Sequence, residues 1–156
     1  MRKKKPKSHQ VAPDPRYGDI VVARFVNMLM WDGKKSIAFK IFYDAMDLVE
    51  KKSDGASAHQ VFHKALKNVT PEVEVRSRRV GGATFQIPTE IRSDRRSSIA
   101  MKWLIKFSRK RSGKGMAFKL ASEILAAAKG EGTAVKRKED MHKMAESNRA
   151  FSHFNR

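Results

Sequence analysis

The chain has 156 residues, with 34 Lys or Arg against 16 Asp or Glu, a formal net charge of +18. It contains no cysteine, which excludes disulfides, thiolate nucleophiles and Cys-ligated zinc or iron–sulfur sites. No apolar run approaches the ~18 residues of a membrane span, and no apolar stretch follows the basic N-terminus as a signal peptide requires, so the expectation is a cytoplasmic protein whose cations decorate a fold.

The charge is partitioned along the chain. Residues 1–16 hold six cations and one acid, three prolines and few apolar side chains, and predict a basic disordered N-terminal arm. Residues 17–70 are nearly balanced, with eight cations and six acids. There, Asp19 is a plausible N-cap, Val22, Phe25, Val26 and Leu29 recur at helical spacing, and Gly33 ends the run. A second helix is expected from about Ser36 through Val49, closed by Gly55. Ser57 and Gln60 have capping-box spacing before a third helix that buries Val61, Phe62, Ala65, Leu66 and Val69 and stops at Pro71.

The period then changes. Val73 and Val75 alternate with polar residues, Gly81-Gly82 suits a two-residue turn, and residues 84–87 resume an extended pattern, so residues 72–90 predict a projecting β-hairpin. Arg76, Arg78 and Arg79 crowd its tip. Helical spacing returns over 91–110, over about 115–129 with Gly130 at the C′ position, and from Thr133 to about Asn148. The fold class is mostly α: one six-helix domain over 1–156, with an inserted two-stranded β-hairpin, no internal repeat and no dividing linker.

Residues 92–119 carry ten cations against the single Asp94. On the fourth helix, at about 100° per residue, Arg95, Lys102, Lys106 and Arg109 share a face opposite Ala100, Leu104 and Phe107. They lack acidic i,i+4 partners, which favours a phosphate-binding face over a solvated one. Trp103, at the border of the two faces, is read as core in preference to a base-stacking residue. His59 and His63 have metal-ligand spacing, but Gln60 stands where a zincin needs glutamate and no third ligand is evident nearby. Asp44, Asp47 and Glu50 project from the polar side of helix two as a solvated face. Gly130-Glu131-Gly132-Thr133 lacks the Gly-Lys-Ser/Thr ending of a phosphate loop. No catalytic constellation emerges, and neither a cofactor nor a metal is expected.

Several stretches resemble the bacterial small-subunit ribosomal protein seven family: Gly33-Lys34-Lys35 between Phe25-Val26 and Ile41-Phe42, Ser77-Arg78-Arg79-Val80-Gly81-Gly82-Ala83-Thr84, Ala100-Met101-Lys102-Trp103-Leu104, Arg109-Lys110-Arg111 and Met144-Ala145-Glu146. The resemblance runs through the whole chain, with departures at Phe85, where tyrosine is common, and at the terminal Phe154-Asn155-Arg156. It implies a protein that binds the 3′ major domain of small-subunit ribosomal RNA and nucleates assembly of the head. It also implies a position near exit-site transfer RNA and messenger RNA, contact with ribosomal proteins nine and eleven of the small subunit, and neither a membrane partner nor homo-oligomerisation. RNA binding falls on Arg2, Lys3, Lys4, Lys5, Lys34, Lys35, Arg76, Arg78, Arg79, Arg92, Arg95, Arg96, Lys102, Lys106, Arg109, Lys110, Arg111 and Lys114. The turn Val80, Gly81, Gly82 and Ala83 falls near transfer RNA and messenger. The alternatives are a basic nucleic-acid-processing enzyme, with Asp44, Asp47 and Glu50 as metal-binding nuclease residues, and a DNA-architectural protein.

Overall fold

The computed structural model describes residues 10–53 and 55–155. Three helices come first, α1 (Ile20–Leu29), α2 (Lys35–Lys52) and α3 (Ala58–Val69), followed by the hairpin strands β1 (Val73–Val80) and β2 (Ala83–Glu90). Then come α4 (Ser93–Lys110), α5 (Met116–Ala128) and α6 (Thr133–Ser147), and a 3-10 segment, Arg149–Asn155, closes the chain. The mostly helical fold with one hairpin is as the periodicities predict. The helical spans agree to within a few residues, and the differences are local.

At its N-terminus α1 is capped by Asp19, whose Oδ1 accepts the Val21 N–H at 2.7 Å. It ends at Leu29, short of Gly33, which instead shares a turn with Asp32, both at positive φ. Ser57 occupies the N-cap of α3 but makes no side-chain cap bond, so the predicted capping box is not formed. Ser57 and Gln60 are both exposed, and water can satisfy the free N–H groups there. The fourth helix starts at Ser93 rather than Ile91, because the Ile91 N–H donates to Glu72 O at 3.0 Å and closes the hairpin root. Gly130, at φ +83°, ends α5 as predicted. Its N–H donates to Ala127 O while Glu131 N–H donates to Ala126 O, which together form a Schellman motif.

One buried cluster draws on all six helices. Phe25, Phe42 and Phe62, each fully buried, meet with ring centroids 5.1–5.6 Å apart, in the tilted and edge-on geometries aromatic rings prefer. Helix α5 touches α2, α3, α4 and α6. Its alanines at 121, 127 and 128 allow that close approach from several sides, as befits a helix apolar around most of its circumference.

In the hairpin, Val73 pairs with Glu90 at the root and Val80 with Ala83 at the tip. Eight-residue strands reach roughly 23 Å. Ile87 is buried at the root and Phe85 lies 5.2 Å from the Phe151 ring, while Arg76, Arg78, Arg79 and residues 81–84 are exposed. Among the described residues, no helix is long and apolar enough to cross a membrane.

Candidate nucleic-acid interface

The predicted basic residues divide into two groups by what they touch. Arg76 and Arg95 converge on Glu74: Arg76 Nε donates to Oε1 at 2.6 Å and Arg95 to Oε2 at 3.2 Å. Glu74 is buried, and two guanidinium groups supply the charge partners such a carboxylate requires. Arg95, which has no acidic partner at i,i+4, thus finds one across the fold. At the other end of α4, Arg111 Nε donates to Glu123, which is fully buried. The same carboxylate accepts the Ala134 N–H at 2.9 Å and so holds the first turn of α6, where Gly132 at the N-cap has no side chain to offer.

Arg109 donates to Leu29 O at 3.2 Å, and its guanidinium carbon stands 4.7 Å from the Trp31 ring centroid. Arg96 donates to Ile91 O at 2.7 Å and braces the hairpin root. Arg92 caps α4 without a side-chain bond and lies 3.9 Å from Asp94, both largely exposed.

The second group faces outward. Lys102, Lys106 and Lys110 are exposed on one side of α4, and Lys114 follows in the loop; none forms an ion pair with the described residues. Lys34 and Lys35 are exposed at the start of α2, with Lys35 Nζ 5.7 Å from the Phe39 ring. Arg78 and Arg79 stand on β1 just before the exposed hairpin turn, where Gly81 and Gly82 take φ of +58° and +89°. Arg2, Lys3, Lys4 and Lys5 lie outside the described residues.

Two clefts border the lysine face. One is lined by Met28, Trp31, Lys102, Lys106 and Arg109, and the other by Lys106, Lys110, Thr133, Lys136, Arg137 and Asp140. Three contributors are invisible to sequence spacing. Lys136, exposed, and Arg137, half-buried, belong to the side of α6 beside α4, which no spacing within one helix reveals. Trp31 is 65% exposed, whereas Trp103 is partly buried against the core as expected. A large exposed aromatic beside cations is the composition of a base- or ribose-stacking surface.

The acidic residues of the nuclease alternative do not assemble. Asp47 pairs with Arg16 at 2.7 Å, and among the described residues Asp44, Asp47 and Glu50 form no cluster close enough to share an ion. The cluster that does form lies elsewhere: Asp19 sits beside His59 and His63 and supplies the third ligand-type side chain that sequence proximity does not show. The Asp19 carboxyl is desolvated, which alone would raise its pKa, but the Val21 N–H and the two imidazoles outweigh this and hold it below the ordinary value.

A family model described as ribosomal protein S7p/S5e matches residues 1–149. A protein of Christiangramia forsetii named small ribosomal subunit protein uS7 is 64% identical over 156 residues, 99% of each chain. Proteins of the same name from Cytophaga hutchinsonii and Porphyromonas gingivalis are each 60% identical, again over 99% of each chain.

Proposed function

The chain belongs to the ribosomal protein S7p/S5e family, and from that premise we propose that it binds small-subunit ribosomal RNA directly through the lysine face of α4. It is a structural constituent of the small ribosomal subunit, acting in translation in the cytoplasm, and not an enzyme. Its finer role is to bind the 3′ major domain of the ribosomal RNA as a single domain and nucleate assembly of the head. In that position its neighbours are ribosomal proteins nine and eleven, and the turn Val80 to Ala83 lies near exit-site transfer RNA and messenger.

The observation that carries this reading is the exposed row Lys102, Lys106 and Lys110, flanked by Trp31 on one side and by Lys136 and Arg137 on the other. Ammonium groups on a rigid helix displace the counterions condensed on RNA, a gain that is lost as salt rises. They cannot read bases in the deep, narrow major groove of A-form RNA, so selection of the site falls to shape and to unpaired bases. Trp31 offers a face to such a base. The hairpin extends the surface, and a two-stranded ribbon of this length gains order from the RNA it lies against.

Footprinting on small-subunit ribosomal RNA with duplex DNA as competitor tests the reading. Protection confined to the 3′ major domain and resistant to excess duplex DNA is the expected result. Protection abolished by duplex DNA would favour the DNA-architectural alternative.

A further inference from the structure

We propose that Asp19, His59 and His63 form a three-ligand site for a divalent transition metal, zinc(II) foremost, that clips the N-terminus of α1 to α3. His59 and His63 are one turn apart on α3, and Asp19 reaches them from the N-cap of α1. His59 Nε2 lies 3.0 Å from Asp19 Oδ2, His63 Nε2 lies 2.6 Å from the same oxygen, and the two Nε2 atoms are 3.2 Å apart.

Hydrogen bonds alone do not account for that triangle. Each hydrogen bond needs one donor and one acceptor, and three mutually close atoms cannot be divided so that every pair has one of each. At least one contact must therefore be donor against donor or acceptor against acceptor, unless a cation lies among three acceptors. A point about 2.1 Å from all three atoms exists, about 1.2 Å out of their plane, which is the distance zinc takes to imidazole nitrogen and carboxylate oxygen.

The surroundings hold the three groups in place. Asp19 Oδ1 is committed to the Val21 N–H, which leaves Oδ2 to point at the imidazoles, an outer hydrogen bond of the kind that orients ligating carboxylates. The Tyr17 ring stacks on His59 at 5.4 Å and 12°, and Phe62 packs edge-on to His63. The histidine side chains are 32% and 39% exposed, so an ion enters from solvent and water completes its coordination. Imidazole with carboxylate suits zinc better than the all-oxygen sets that magnesium or calcium select.

Such an ion would secure the segment through which residues 1–9 join the helices. That segment is already tied down at Asp14, which accepts the Tyr43 hydroxyl at 2.8 Å and the Arg16 and Tyr17 N–H groups.

The test is calorimetric titration of the chelator-stripped full chain with zinc chloride, with cobalt(II) as a spectroscopic probe. One equivalent bound is expected, with affinity weakened about 100-fold or more in His59→Ala and His63→Ala, since loss of an outer-sphere partner alone costs 10–100-fold. Asp19→Asn keeps an N-cap and should also weaken binding. The absence of zinc binding, or equal affinity in the unaltered chain and the histidine variants, would overturn the proposal. Cobalt gives a readout independent of any variant: intense visible bands of a low-coordinate site support the proposal, and the pale spectrum of the hydrated ion contradicts it.

Discussion

The seams at the two ends of α4 and the open face between them are built from similar basic residues put to opposite uses. At the hairpin root, Arg76 and Arg95 close on the buried Glu74, and at the helix exit Arg111 closes on the buried Glu123. On the face between them, Lys102, Lys106 and Lys110 are exposed and form no ion pair with the described residues. The residue types follow the use. Arginine's planar fork suits a fixed carboxylate, whereas lysine is a compact, hydrated charge on a flexible stem, suited to phosphates whose positions are set by RNA. The count of 34 Lys or Arg therefore overstates the binding surface, because Arg76, Arg95 and Arg111 are engaged by buried carboxylates of the fold.

The contrast breaks most visibly at Glu123. Replacing it with alanine leaves Arg111 without its carboxylate and the α6 N-terminus without its acceptor, and should lower stability by about 3 kcal/mol, read as a fall in the urea midpoint. A loss under about 1 kcal/mol would mean that this seam does not fasten the fold. A smaller effect is expected at the hairpin tip. Gly82→Val places a β-branched residue at φ +89°, and the strain falls on an exposed turn remote from the core. The melting temperature should move by less than about 5 °C, while protection of the RNA nearest the hairpin should be lost. A larger thermal loss would mean that the tip supports the core.

What the sequence disclosed has a physical boundary. Helix and strand limits set by nearby residues were legible: Asp19 caps α1, Gly130 ends α5, and Gly81-Gly82 turns the hairpin. Periodicity also separated Ala100 and Leu104 from Lys102 and Lys106 on α4. The failures at short range are Gly33, which lies beyond the end of α1, and Ser57, whose hydroxyl does not cap α3, because an exposed helix end can use water instead. The rest depended on residues distant in sequence. Glu74 stands 21 positions from Arg95, and Asp19 stands 40 from His59, so spacing rules that look three or four residues along a helix see neither pair. Trp31 became a candidate only when the turn after α1 exposed it beside Arg109. The fold was thus largely readable, and the binding surface only as far as one helix could show it.

The most direct measurement of the division between seam and face is the salt dependence of binding to a ribosomal RNA fragment from the 3′ major domain. The unaltered chain is compared with a Lys102→Gln, Lys106→Gln, Lys110→Gln triple variant whose melting temperature is recorded alongside. The slope of log affinity against log salt should flatten by up to about one unit per lost phosphate contact, with the melting temperature nearly unchanged. An unchanged slope in a folded triple variant would contradict the assignment of the lysine face to RNA.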